Sequence, residues 1–284
     1  MTHSPRLTHA RAPLVHEVSV IDEFGASRSI SIPAERSLTV FVDNRELVTL
    51  MTLGAAPELL VLGYLRNQRL VDSLDDIESV TVDWEVEAAA VKTRAGIERF
   101  DEKTARRVVT TGCGQGTVFG DLMNELDTIR LPPADEPTAR LSQTTLYGLL
   151  NAMRLQESTY KSSGSVHGCA LFRQDELLTF VEDVGRHNAI DTIAGWMWLN
   201  DMQGGDKIFY TTGRLTSEMV IKSAQMGVPV IVSRSGITQM GHELARKLGL
   251  CLFGRATNRH FICYCGFERF DVEPEARPDT RPAP

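Results

Sequence analysis

Cys113 stands between two glycines, in the run Thr110-Thr111-Gly112-Cys113-Gly114-Gln115-Gly116-Thr117. Flanking glycines give a thiol little steric cover and leave the backbone free to move. A mobile, exposed thiol suits a nucleophile or a sulfur carrier, because the thiolate is the species that reacts. The other cysteines read differently. Cys251 in Leu250-Cys251-Leu252 and Cys169 before Ala170-Leu171 look like small core residues. His260, Cys263 and Cys265 sit closer together than zinc ligands usually do, and no fourth ligand is apparent. The histidine-x-glutamate and proline-cysteine-x-x-cysteine signature of zinc deaminases is absent, and His167-Gly168-Cys169 does not replace it. The glycines at 112, 114 and 116 do not match the full spacing of a dinucleotide loop.

Four arginines occupy matching places further along the chain. They are Arg186 in Val184-Gly185-Arg186-His187-Asn188, Arg214 after Thr212-Gly213, Arg234 after Val232-Ser233, and Arg255 in Phe253-Gly254-Arg255-Ala256. Each follows a short apolar run, has a glycine one or two residues away, and in the first three cases precedes a helix-like segment. In an open α/β sheet this puts guanidinium groups at the strand edge where ligands bind. Planar guanidinium forks match phosphate oxygens, so the pattern points to a polyanionic ligand bearing nucleotides. Four solvated loop arginines are the alternative. His187 is suited to binding phosphate or relaying a proton. Asp183 and Asn188 could orient neighbours or read base and ribose edges, or could simply cap a helix.

Around these residues the pattern predicts two architectures. Residues 1–13 read as a flexible arm. Residues 14–137 form an α+β unit that ends in the Cys113 loop and a proline-bearing connector. Its strands are marked by Val18-Ser19-Val20, Ile30-Ser31-Ile32, 38–42 and 47–50, with a turn at Asp43-Asn44. Pro57 opens a helix whose apolar face is Leu59, Leu62 and Leu65, and 79–86 and 88–91 look like further strands. Residues 138–270 form an α/β unit. Ser142 caps a helix carrying Leu146, Leu149, Leu150 and Met153. A hairpin follows at 170–181, then a helix with Ile190, Ile193, Ala194 and Met197 on one face. Strands at 207–210, 228–232 and 250–253 alternate with helices at 215–225 and 240–248, the last closed by Gly249. That alternation implies parallel strands with helices against the sheet. The tail, 271–284, is rich in proline and charge and is expected to be disordered.

At 284 residues the chain has room for one large or two medium domains, and 42% hydrophobic and 24% charged residues are ordinary for a globular protein. A net charge of -7 disfavours a protein that coats nucleic acid. No apolar run approaches the roughly 18 residues that span a bilayer. The first residues lack the apolar core of a signal peptide. The expected compartment is the cytoplasm, without membrane or nucleic-acid partners. Five cysteines argue against a disulfide framework.

The run Glu182-Asp183-Val184-Gly185-Arg186-His187-Asn188-Ala189-Ile190-Asp191 resembles the FdhD family of formate dehydrogenase accessory sulfurtransferases. So do Thr212-Gly213-Arg214 with Glu218, and Val230-Ile231-Val232-Ser233-Arg234-Ser235. Pro57-Glu58 and Gly63-Tyr64-Leu65 resemble the family's first domain, and the likeness spans about residues 14–270. It implies a protein that takes sulfane sulfur from a cysteine desulfurase as a loop-cysteine persulfide. The sulfur would pass to molybdenum in the bis(guanine dinucleotide) cofactor before insertion into formate dehydrogenase. The carrier cysteine maps onto Cys113. Many members have a second cysteine three residues on, where this chain has Gly116, leaving Cys113 to act alone. The implied cofactor pocket is Phe253, Gly254, Arg255, Ala256, Thr257 and Asn258, joined by Arg186, His187, Arg214, Ser233 and Arg234. The resemblance further implies a second domain similar to the cytidine deaminase fold without its zinc, and it allows a homodimer. Two other readings stay open: a chaperone that only holds the nucleotide cofactor, and a deaminase-like hydrolase.

Overall fold

The computed structural model of the chain describes residues 4–97 and 126–273. They divide into two compact units, and the division is not a single cut. The first unit takes the residues up to Thr128 and adds Glu157–Ala170 and Thr179–Met202; the second takes Ile129–Gln156, Leu171–Leu178 and the rest from Gln203.

In the first unit the strands are β1 (Arg6–Leu7), β2 (Val15–Ile21), β3 (Ser27–Pro33), β4 (Arg36–Val42) and β5 (Arg45–Thr52). Helix α1 (Pro57–Asn67) and strands β6 (Ile77–Asp83) and β7 (Ala88–Thr93) follow. One sheet has the order β1-β6-β7-β4-β5, and β2 and β3 pair separately as a hairpin. Strands β4 and β5 turn through Asp43 and Asn44, whose φ values of 48° and 67° are left-handed. Asparagine and aspartate tolerate that conformation best after glycine. The expected arm is tied down in part. Arg6 and Leu7 run parallel to Ser79 and Val80, and the buried Glu58 carboxylate accepts hydrogen bonds from the Thr8 hydroxyl (2.9 Å) and the Ala10 N–H (2.7 Å).

Strand β8 (Leu141–Ser142), helix α2 (Gln143–Leu155), the short helix α3 (Thr159–Ser163), strands β9 (His167–Arg173) and β10 (Glu176–Asp183) and helix α4 (Arg186–Leu199) come next. Ser142 caps α2 by accepting the Thr145 N–H at 3.1 Å. Helix α4 returns to the first unit and packs on α1. A Cβ on Gly63 would stand 1.6 Å from the Asp191 carbonyl oxygen, and one on Gly195 would stand 2.0 Å from the Leu59 carbonyl oxygen. The two backbones therefore touch with no side chain between them. This corrects the one-faced reading of α1: Leu60, Val61 and Tyr64 are buried along with Leu62 and Leu65. Arg66 donates to the Ala194 carbonyl (3.2 Å) and Asn67 to the Asp191 carboxylate (2.7 Å), fixing the crossing.

The start of α4 is fixed by Asp183. Its buried carboxylate accepts the Thr52 hydroxyl (2.5 Å), the Leu53 N–H (3.3 Å), the Gly185 N–H (3.1 Å) and the Asn188 side-chain amide (2.9 Å). The Asn188 amide also reaches the Met51 carbonyl at 2.7 Å. Burial pushes the Asp183 carboxyl above the ordinary range, and these donors pull it back only in part.

The second unit holds β11 (Ile208–Thr211), α5 (Ser217–Gln225), β12 (Val230–Ser233), α6 (Gln239–Leu248), β13 (Cys251–Thr257), β14 (His260–Cys265) and β15 (Phe270–Asp271). The sheet order is β10-β9-β11-β12-β13-β14. Strands β11, β12 and β13 are parallel, as the alternation requires, and β14 returns antiparallel. Gly249 ends α6 in the left-handed conformation, with φ 71°. Phe253, Phe261 and Phe270 pack edge to face beneath this sheet, with ring centroids 4.9–5.6 Å apart. No helix among the described residues is long and apolar enough to cross a membrane.

Gly63→Ala is expected to destabilise the protein by at least about 3 kcal/mol, the upper end of ordinary overpacking, because backbone cannot move aside as a side chain can. Gly236→Ala, where an added Cβ meets nothing within 4 Å, is expected to cost under about 1 kcal/mol. Urea midpoints of the two variants decide the point, and equal midpoints would refute it. A second expectation concerns pH. An acid with a raised folded pKa supports the fold fully below its unfolded pKa, and loses that contribution as pH rises through the folded value. The stability of the unsubstituted chain relative to Asp183→Asn should therefore fall as pH rises above the ordinary carboxylate range. A difference independent of pH in parallel urea titrations would remove Asp183 as the cause.

Candidate functional site

Two strand ends of the second unit are stitched together by the same device. Thr211, last in β11, accepts the Gly213 N–H on its hydroxyl at 3.0 Å. Ser233, last in β12, accepts the Ser235 N–H at 2.9 Å and donates to the Gly213 carbonyl at 2.7 Å. Such hydroxyl turns let the chain leave a strand sharply without orphaning polar groups. Backbone bonds then continue the ladder beyond the strands. The Arg234 N–H reaches the Thr211 carbonyl (3.0 Å), the Leu215 N–H the Gly236 carbonyl (3.0 Å), and the Arg255 N–H the Ser235 carbonyl (2.8 Å).

This ladder brings Arg214, Arg234 and Arg255 onto adjacent segments at one end of the sheet, and all three side chains are exposed. Ser233 lies beneath them, buried and engaged in the turn. Arg186 and His187 belong to the first unit, where Arg186 opens α4 and His187 is buried. Asp183 and Asn188 are committed to the internal network described above. Neither is left to read a base edge, and Gly185, not either of them, stands at the N-cap. Cys113 lies outside the described residues.

The segment 253–258 divides by exposure. Phe253, Gly254 and Ala256 are buried, and Phe253 is part of the aromatic cluster. Arg255, Thr257 and Asn258 are exposed, so any ligand contact by side chains falls to them. Arg255 and Asn258 hold φ values of 50° and 53°, beside a register shift between Gly254 and Thr257. A left-handed non-glycine residue costs about 1–2 kcal/mol, and such strain persists only where the surroundings enforce it. Here the Ser235 carbonyl holds the Arg255 N–H. A Cβ on Gly254 would meet the Tyr264 ring at 2.7 Å and the Ser235 carbonyl at 3.0 Å, so glycine is required for this close approach.

Asn258 also walls a cavity of about 580 Å³ with Tyr147, Leu150, Asn151 and Arg154 of α2, Asp175 and Arg259. The Arg259 guanidinium lies over the Tyr147 ring, 5.5 Å from its centre. Two arginines, two amides and an aromatic face line the cavity together with the Asp175 carboxylate, so its charge is mixed.

Three buried cations escaped the sequence reading, one of them Lys207, which pairs with the neighbouring Asp206. Lys222 on α5 is fully buried and pairs with Glu218 at 3.4 Å, a contact signalled only by their spacing of four. Arg269, also buried, donates to the carbonyls of Gly249 (3.0 Å), Pro133 (3.1 Å) and Pro132 (2.6 Å) and so pins the connector. Among the described residues no group of three or more His, Cys, Asp or Glu could hold a metal ion.

The chain is 30% identical over 236 residues to the sulfur carrier protein FdhD of Bacillus subtilis, covering 83% of this chain and 88% of that one. It is 28% identical over 242 residues to the sulfur carrier protein FdhD of Listeria innocua, covering 84% and 91%. A solved structure described as a formate dehydrogenase accessory protein, from Desulfotalea psychrophila, superposes with a TM-score of 0.71. It shares 23% identity and covers 91% of this chain and all of its own, a likeness of fold. The FdhD/NarQ family model matches residues 33–271, and the chain belongs to that family.

Proposed function

We propose that this chain is a sulfur carrier for the maturation of formate dehydrogenase, with Cys113 as the carrier and a guanine-dinucleotide molybdenum cofactor as the sulfur acceptor. The observation that carries the reading is the ladder setting Arg214, Arg234 and Arg255 side by side, exposed, at the end of a parallel sheet. Guanidinium groups so placed suit the pyrophosphates of a dinucleotide. The second support is the family, whose matched relatives carry the name sulfur carrier protein.

In this reading the Cys113 thiolate attacks the outer sulfur of a cysteine desulfurase persulfide. It becomes Cys113–S–SH and releases the donor's thiolate. The terminal sulfur then passes to the cofactor, which is substrate here and not a resident group; the S–S bond breaks, Cys113 leaves as its thiolate, and the two electrons that bring the sulfur to the sulfide level come from the cofactor's molybdenum in its reduced state. Arg214, Arg234 and Arg255 hold phosphate, and Thr257 and Asn258 contact the nucleotide. The parallel strands and α5 and α6 act as a deaminase-like scaffold used without zinc. The reaction belongs in the cytoplasm, where free thiols persist. A second reading, a chaperone that only holds the cofactor, uses the same arginines and leaves Cys113 idle.

The two sites are expected to separate. Arg214→Ala or Arg255→Ala should weaken binding of guanosine diphosphate by about 1.5–3 kcal/mol, the range for a charge-assisted hydrogen bond. Each should keep the persulfide. Cys113→Ala should bind the nucleotide normally yet fail to activate formate dehydrogenase in cells lacking the native protein. Persulfide is read as one added sulfur on the Cys113 peptide after incubation with desulfurase and cysteine. Full activation by Cys113→Ala would replace the carrier with the holding chaperone.

A further inference from the structure

Two cysteines with no part in the proposed reaction meet on neighbouring strands. The register of β13 and β14 sets Leu252 opposite Cys265 and Phe253 opposite Cys263, with Tyr264 as the extra residue of a bulge. Side chains alternate along a strand, so Cys251 shares a face with Phe253, and Cys263 across from Phe253 looks the same way. Cys251 and Cys263 therefore stand diagonally across the strand pair on one face, within side-chain reach, and the Cys263 thiol donates to the Cys265 carbonyl at 3.5 Å. Cys251 is wholly buried, whereas Cys263 is half-buried on β14, the end strand of its sheet. One sulfur can therefore be reached from solvent and the other only through its neighbour.

Cys265 is differently placed. The bulge turns it to the Leu252 side, where its buried thiol points at the Leu250 carbonyl at 3.5 Å. Burial pushes it up to about 11, so it stays protonated at neutral pH. The neighbouring Cys251 thiol holds Cys263 below the ordinary thiol range, while the Cys263 thiol beside it and burial push Cys251 up. Nucleophile and resolving thiol are thus distinguished by environment.

We propose that Cys251 and Cys263 form a redox-active cross-strand dithiol that closes to a disulfide by exchange with a low-molecular-weight disulfide. The Cys263 thiolate attacks one sulfur of R–S–S–R, forming Cys263–S–S–R and expelling RS⁻. That thiolate takes the Cys251 proton. The Cys251 sulfur then attacks Cys263 Sγ and expels the second thiolate, which is protonated from water. Two protein thiols lose two electrons in all, and one small disulfide becomes two thiols. The bond would fasten β13 to β14 just before the segment that carries Arg255, Thr257 and Asn258. It does not depend on Cys113 or on any bound cofactor.

The test uses the full-length chain carrying Cys113→Ser, incubated with glutathione disulfide, blocked with an alkylating agent and digested with trypsin. The expected product joins the peptides 248–255 and 260–269, short by two hydrogens, with fragment ions locating the bond at Cys263. Dithiothreitol should remove it. Cys251→Ala should leave Cys263 as a stable mixed disulfide with glutathione, and Cys263→Ala should abolish both products. Circular dichroism verifies that each variant is folded, and should Cys251→Ala not fold, Cys251→Ser provides the same comparison. A bond through Cys265 or Cys169, or a lasting mixed disulfide at Cys263 with Cys251 intact, overturns the proposal.

Discussion

The contact between the backbones of α1 and α4 is the constraint on which the first unit rests. Glycines at 63 and 195 let one helix lie on the carbonyls of the other, and every other feature of the pair follows. Helices this close bury most of their circumference, so the polar groups they carry must be answered inside. Arg66 finds the Ala194 carbonyl and Asn67 the Asp191 carboxylate. At the head of α4 the Asp183 carboxylate gathers four donors, from Thr52 and Leu53 and from Gly185 and Asn188. The position of Arg186 and His187 is thereby set by packing, before any ligand is considered.

The same local device ends four strands. A side-chain oxygen on the last strand residue accepts the N–H two residues on: Thr52 from Gly54, Asp183 from Gly185, Thr211 from Gly213, and Ser233 from Ser235. At three of these ends an arginine comes next or soon after, at 186, 214 and 234. The polar residue is spent on the turn, and the arginine is what the turn presents. Arginine display and strand termination thus use different residues of one short motif, and a residue can stand in a functional-looking run for purely structural reasons.

Buried charge distributes unevenly. Lys222 and Glu218 pair within one helix, and Arg269 satisfies three carbonyls with one guanidinium. A buried pair costs desolvation that its attraction only partly repays, and breaking it costs more. Arg269 shows another solution, in which a planar donor ties irregular backbone where no sheet can supply acceptors.

The sequence by itself determined what short-range chemistry determines. Proline at 57, serine at 142 and glycine at 249 placed helix ends, because caps act within one turn. The alternation from residue 207 onward determined the parallel strands β11, β12 and β13, because that connection has few other solutions. It also placed Arg214 and Arg234 after β11 and β12, but not Arg255, which lies within β13 because that strand runs on to Thr257. It did not reveal that α1 is buried beyond its leucine face, since a helix covered on several sides has no single period to read. Nor did it show that Asp183 is internal, that Arg255 sits in a left-handed bulge, or that the chain crosses between units more than once. Each of these depends on atoms far apart in sequence, as Gly63 is from Asp191. Only the tertiary structure decides them, because contacts between distant segments are set by the packing of whole elements, which no local pattern encodes.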